Sequence, residues 1–454
     1  MGPTDDAVHG SSGVAGGHIV ERSTAGWDDT GEMPIARRLA LATWGLFVGL
    51  AMLMAAGGLF STALSVRAEL AGMPTVVSSA ISASYYVGFL VGSGITLKVL
   101  GRVGHIRAYT ALASVLSAAT IAIGIANDAT SWILLRLVTG LMLSGLYVVA
   151  ESWLNDLATN ANRGRLLAIY GGITTLFYGI GQVGVSVFDP TAITGFAVAA
   201  VLTSLAVAPV ALSEAAVAPP LEAAEPISLR ELAKIVPTGV FSCLLVGVAN
   251  GAIAGMATLY ATRVNMSPGE LGLFVALPSI GGVVLQWPIS AASDDLDRRA
   301  VGVVAAAAAA GASALLLLDS PHKPMAFVLI ALVGGFSYPL YSLAGAYTND
   351  WIEPEHLSGA ASQLVKLYGI GAVAGPFVTG GFMAVIGTTG FQWSLVVMHA
   401  AIAVYFFYRL LAWRSPLAKR PWSEVSLPAR TFHVPATIIS MSLQRRRRRH
   451  RHRP

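Results

Sequence analysis

Between residues 38 and 413 the chain is a succession of long apolar runs separated by short polar breaks. The runs cover 41–64, 75–98, 108–126, 132–151, 165–188, 192–212, 236–261, 271–292, 301–318, 325–347, 358–385 and 393–413. Each is close to the roughly 20 residues that an apolar helix needs to cross the hydrocarbon core of a bilayer. The pattern therefore predicts an all-α membrane protein with twelve transmembrane helices. Its Ala- and Gly-rich composition leaves the helix ends soft by a few residues.

The longest internal polar stretch, Ser213 to Lys234, carries Pro219–Pro220, Glu222, Glu225, Arg230 and Glu231 and falls between the sixth and seventh runs. It divides the spans into two sets of six. Landmarks recur across the two sets at a separation of about 195 residues. Arg102 and Arg107 answer to Arg298 and Arg299, Asn155–Asp156 to Asn349–Asp350, and Tyr170-Gly171-Gly172 to Tyr368-Gly369-Ile370-Gly371. A shared offset is the mark of a duplicated unit, here a pair of six-helix bundles around a central site. The expected domains are a polar tail at 1–37, bundles at 38–212 and 236–413, a central loop at 213–235, and a basic tail at 414–454. Both tails are read as disordered.

Composition strengthens the membrane reading. Of 454 residues, 55% are hydrophobic and 12% charged, and the mean hydropathy is +0.66. Soluble domains carry about 25% charged residues, so a water-soluble enzyme is excluded as the natural reading. Cys243 is the single cysteine. No intramolecular disulfide and no Cys/His metal cluster can form, and neither a cofactor nor a metal is expected. The opening 37 residues lack the basic, apolar and small-residue order of a secretory signal.

The net charge of +5 lies largely in the Arg445–Arg453 tail, and the loop charges fix an orientation. Alternate loops hold Arg37–Arg38, Lys98, Arg102, Arg107, Arg163, Arg165, Arg230, Lys234, Arg298 and Arg299, against Arg67, Arg263 and Lys323 in the others. The positive-inside bias then places both termini and the central loop in the cytoplasm, in a plasma or inner membrane. The basic tail is expected to rest on anionic lipid, at about 1 kcal/mol per residue near the surface. Nucleic acid is not expected as a partner, and the chain is expected to act as a monomer.

Several motifs together resemble the major facilitator superfamily, and more closely its YcaD-like branch. They are Val149-Ala150-Glu151-Ser152-Trp153-Leu154-Asn155, Asn162-Arg163-Gly164-Arg165-Leu166-Leu167-Ala168-Ile169-Tyr170, Gly181-Gln182, Gln286-Trp287-Pro288-Ile289 with Ser293-Asp294 and Arg298-Arg299, and Tyr368-Gly369-Ile370-Gly371 with Gly375-Pro376. The resemblance covers residues 38–413. It implies two six-helix bundles rocking about a central cavity, and secondary transport of a small molecule, often driven by protons. In the loop after the second span the superfamily usually carries an Asp, and here Gly101 stands in its place. The second half keeps Asp294. The resemblance thus implies an asymmetric latch, in which Asp294 meets the start of the fifth span near Arg163 and Arg165.

Ionisable groups inside spans need a partner or a wet cavity. Arg136, with Gly140 four residues on, resembles the superfamily's Arg-x-x-x-Gly pattern; it either lines the cavity or snorkels to the headgroups. Lys366, about eight residues into span eleven, either binds an anionic group or reaches back to Asp350 or Glu355. Glu151 is a titrating or gating acid, or a structural partner of Arg163 and Arg165. Tyr85, Tyr86, Tyr178, Gln182, Asn250, Gln286, Tyr338 and Tyr341 stand at the depth of a midplane site. The expected gating set is Arg102, Arg107, Glu151, Arg163, Arg165, Asp294, Arg298, Arg299 and Asp350. His399 reads as a packing residue. The Gly-x-Gly runs at 179–181 and 369–371 lie inside apolar spans and serve close helix packing.

Two classes of function remain: a secondary transporter working by alternating access, and a non-transporting membrane sensor or scaffold that retains the fold. A membrane-embedded enzyme has no Ser/His/Asp, Cys/His or metal constellation to support it.

Overall fold

The computed structural model describes residues 35–157, 163–213, 227–318, 320–353 and 356–412. The expected tails, the middle of the central loop, and the side chains of Lys98, Asn155, Asp156, Arg163 and Arg165 lie outside what it describes. Fifteen helices are present among the described residues. They are α1 (Ile35–Leu70), α2 (Thr75–Val103), α3 (His105–Ile125), α4 (Ala129–Leu157), α5 (Arg163–Gly184), α6 (Thr194–Leu205), α7 (Val207–Ala211), α8 (Leu229–Ile235), α9 (Pro237–Arg263), α10 (Pro268–Asp295), α11 (Arg298–Leu318), α12 (Pro324–Ser337), α13 (Pro339–Asn349), α14 (Leu357–Ile386) and α15 (Gly390–Ala412). The described residues up to Leu41 supply only the first turns of α1 and are counted apart. The helices from Ala42 to Ala412 belong to one compact unit.

Ten stretches are long and apolar enough to cross a membrane. The last of them, Gly359–Ala412, holds both α14 and α15, and α5 supplies one more. The twelve-span, all-helical architecture is therefore present. Spans six and ten are each broken into two helices, which the apolar pattern did not signal. In span ten the break precedes Pro339, whose ring displaces the carbonyl four residues back and removes a donor. Pro209 has the same effect on α6 and α7. The central linker holds a short helix, α8, capped by Ser228, whose hydroxyl accepts the Glu231 N–H (3.2 Å).

Local chemistry explains the remaining helix ends. Pro237, Pro268 and Pro324 open α9, α10 and α12, a position where the missing N–H costs nothing. Ser267 and Glu270 form a reciprocal capping box. Asp128 accepts the Ser131 N–H (2.8 Å) ahead of α4, and that bond holds its carboxylate below the usual range. The cap is intact at neutral pH and is lost only as the pH falls through this lowered value.

Lipid supplies no hydrophobic force between helices, so close backbone approach must hold them together. The same helix pairs do this in both halves. A Cβ on Gly88 of α2 would fall on the Leu137 carbonyl of α4, and a Cβ on Gly281 of α10 would fall on the Ala331 carbonyl of α12. Likewise Gly58 of α1 abuts the Tyr178 carbonyl of α5, as Gly247 of α9 abuts the Tyr368 carbonyl of α14. By contrast, nothing lies within 4 Å of a Cβ built on Gly311 in α11. Gly311→Ala is therefore expected to raise stability by about 0.5–1 kcal/mol. Gly88→Val is expected to abolish the monodisperse folded protein. Thermal melts in detergent check both, and a tolerated Gly88→Val would contradict the packing account.

Candidate functional site

Polar and aromatic side chains from both halves converge between the bundles. From the first half come Tyr85 and Tyr86, whose rings meet edge to face at 5.2 Å, together with Tyr178. From the second come Tyr338, beside Ser279, and Tyr341, whose ring lies 4.8 Å from that of Tyr368. Tyr368 lies beside Asn250. Tyr86 lies within electrostatic range of Tyr178 and Tyr338, so the two sets form one cluster across the seam. Asn250 is held by Ser337, whose hydroxyl donates to its Oδ1 (2.6 Å). Ser337 in turn meets His399 Nε2 at 2.8 Å, and His399 Nδ1 meets the Leu395 carbonyl at 2.7 Å. The histidine thus anchors α15 to the chain of side chains behind the cluster.

Arg136 sits seven residues into α4, about 10 Å from its start at 1.5 Å per residue. Its side chain is 7% exposed. The guanidinium lies over the rings of Tyr85 (4.7 Å) and Phe60 (5.2 Å), and Nη2 donates to Ser61 Oγ (3.2 Å). Ser61 also lies beside Tyr178. Nε is buried with no hydrogen-bond partner. Gln182 Oε1 and Gln286 Oε1, elsewhere in the described helices, are also buried without one; the Gln286 amide nitrogen donates to Ser290 (3.1 Å).

The halves are joined at one end, the end away from the start of α1. Glu69 and Arg263 form a two-pronged ion pair there (2.8 and 3.1 Å). Ser82 Oγ donates to the Gly255 carbonyl (3.0 Å), Gly380 abuts Ser79, and a Cβ on Gly272 would meet Val183 Cα at 2.8 Å. These contacts pair α2 with α9 and α14, and α5 with α10.

At the opposite end the expected gating residues form two clusters. Arg298 donates to Asp350 (2.7 Å), Ser293 (3.0 Å) and, more loosely, Asp294 (3.4 Å). Arg299 pairs with Asp297 (2.8 Å) and donates to the Arg409 carbonyl (2.9 Å). Glu151 accepts from the Tyr170 hydroxyl (3.1 Å). Arg102 and Arg107 are exposed. Lys366 is also exposed, on a stripe of α14 with Ser362 and Ile370, and the structure does not bring it into the tyrosine cluster.

Sequence reading overlooked Tyr147, which lies within electrostatic range of Tyr85 and Tyr178, together with Tyr368, Phe60, Ser61 and the Glu69–Arg263 pair, as parts of this arrangement. Tyr147 had a signal: it stands eleven residues after Arg136, three helical turns along the same face of α4. Ser61 had none, because its role depends on how α1 packs.

This geometry is that of a multi-pass helical membrane protein with polar and aromatic side chains gathered between two helical halves. Residues 239–450 match the family model of the Major Facilitator Superfamily. The MFS-type transporter YcaD of Salmonella arizonae, itself uncharacterized, is 27% identical over 342 residues, spanning 74% of this chain and 87% of the relative. Among solved structures, the nucleoside transporter NupG superposes with a TM-score of 0.67 at 13% identity, covering 83% of this chain and 98% of that one. An inward-facing, occupied bacterial homologue of the human lysosomal transporter Spinster gives 0.66 at 14%, over 84% and 98%. In its second half the chain is thus similar to the Major Facilitator Superfamily, and along most of its length to the MFS-type YcaD proteins; its fold is that of the solved MFS transporters.

The Arg298–Asp350 pair is almost fully buried, at 2% and 1% exposure. Removing one partner of such a pair strands a buried charge, at about 3–5 kcal/mol. Asp350→Ala is expected to lower the melting temperature markedly, and the double variant Asp350→Ala, Arg298→Met to recover much of the loss. A melt unchanged in the single variant would contradict this.

Proposed function

We propose that the protein is a secondary active transporter that moves a small molecule across the inner or plasma membrane by alternating access, driven by protons. The observation that carries this reading is the tyrosine-rich polar cluster spanning the seam between two halves that are joined at one end. Such a seam supports a cycle in which the joined end opens and the other closes. In that cycle residues 38–212 and 236–413 rock as two bundles, with the tails and the 213–235 loop in the cytoplasm and the basic tail on anionic lipid. The Asp294 latch, closing onto the start of α5, belongs to the opposite state. Glu151 is the acid set furthest into a helix among the described residues, six residues from the end of α4, and is the proposed group for proton exchange. The scaffold reading has no comparable support, because it leaves the buried polar groups of the seam without a use.

A disulfide across the joined end tests the cycle. A Cβ built on Gly380 lies 3.3 Å from Ser79 Cβ, near the span that a disulfide bridges. The double variant Ser79→Cys, Gly380→Cys is made with Cys243→Ser, reconstituted in proteoliposomes, and exposed to a cell-metabolite extract with and without an imposed pH gradient. The reduced protein is expected to accumulate at least one small molecule, more so with the gradient. The oxidised protein is expected to accumulate none. Equal vesicle contents in both forms would overturn the transport reading.

A further inference from the structure

The Arg136 pocket defines the chemistry of its ligand, an inference that rests on the transporter reading for access to the site. We infer that Arg136 binds the carboxylate of an organic monoanion whose body is apolar or aromatic. An arginine does not give up its proton in a protein, so the charge persists at 7% exposure. A buried charge is costly unless it is paired. Glu151, the acid on the same helix, lies fifteen residues away, about 22 Å along the axis. Glu69 is engaged by Arg263. The partners Arg136 does have are neutral: the Ser61 hydroxyl on Nη2 and two ring faces. Its buried Nε donor is unmatched.

The geometry selects the anion. Phe60 and Tyr85 lie against the guanidinium and its unmatched donor is Nε, which directs a ligand to the edge formed by Nε and the neighbouring Nη. That edge presents two parallel donors, the fork that fits a carboxylate. The rest of the pocket is uncharged, lined by Leu116 and Leu143 and by the hydroxyls of Thr120, Thr139 and Thr203. One cation and no second one match one negative charge, which disfavours a phosphate dianion. Tyr85 and Tyr178 line this pocket and also belong to the cluster at the seam. A ligand held by its head at Arg136 would thus have its body beside Tyr85 and Tyr178, aromatic rings of the first half.

The test uses the full chain in detergent, with benzoate, 4-phenylbutyrate, benzamide, benzylamine and sodium nitrate at matched concentrations, read by thermal shift and then by titration. An arylcarboxylate is expected to stabilise the protein and the amide, amine and nitrate to do so far less. Arg136→Gln is expected to weaken arylcarboxylate binding by about tenfold or more, with Arg136→Lys retaining part of it, since lysine keeps the charge and loses the fork. Equal stabilisation by benzamide, benzylamine or nitrate, no stabilisation by either carboxylate, or wild-type affinity in Arg136→Gln would each overturn the inference. The comparison among ligands on the wild-type protein stands even where a variant fails to fold. Uptake of a neutral or cationic molecule that carboxylates do not compete with would refute the anion site and leave the transporter standing. Carboxylate binding without any uptake would do the reverse.

Discussion

Every polar group placed inside this bundle has to find its partner within the protein, because the surrounding lipid offers none. Most of the buried polar side chains obey that constraint visibly. Arg67 donates to the Gly124 carbonyl and to Asn127 (both 2.8 Å). Arg298 is held by Asp350, and Arg409 by Thr238 (2.7 Å). Gln392 meets the Tyr260 hydroxyl at 2.7 Å. These groups tie helix ends and helix pairs together, and their energetic role is to keep buried charge and amide groups from being stranded.

Three departures from the constraint stand on helices of the proposed transport path. Arg136 Nε, Gln182 Oε1 and Gln286 Oε1 are buried without partners, and they lie on α4, α5 and α10, helices that line the seam or pack at it. A few hydroxyl and indole groups elsewhere are also unmatched, Ser242 and Trp153 among them, but none of those carries a charge. A persistent cation with an unmatched buried donor is the more demanding case, and it carries the inference about the ligand. The close glycine contacts of α1, α2, α9 and α14 then have a second consequence. They hold the helices of each half closely together, as the proposed rocking of one half against the other requires.

Much of the fold was legible because one period dominates the chain. Apolar runs of bilayer length gave the number and order of spans. The breaks at Ala206 and Tyr338 were not legible, since Pro278, Pro288 and Pro376 sit inside unbroken helices and proline alone does not decide. At the site, Tyr85, Tyr86, Tyr178, Asn250 and Tyr338 could be proposed from depth alone. Ser61 and the Glu69–Arg263 pair could not, because they depend on contacts between residues 75 and 194 positions apart. Lys366 illustrates the converse: depth suggested a cation facing the cavity or reaching back to Asp350 or Glu355, but depth does not specify a helix face, and its stripe on α14 is exposed.

The central claim is that the two halves exchange which end is joined. Paired spin labels test it directly, at Ala71 and Asn265 near the Glu69–Arg263 pair and at Arg107 and Glu353 near the opposite end, in a Cys243→Ser background in lipid nanodiscs. The account predicts two populations in which the two label distances change in opposite senses, with proportions that shift with pH. A single population at both pairs, unmoved by pH or by ligand, would contradict it.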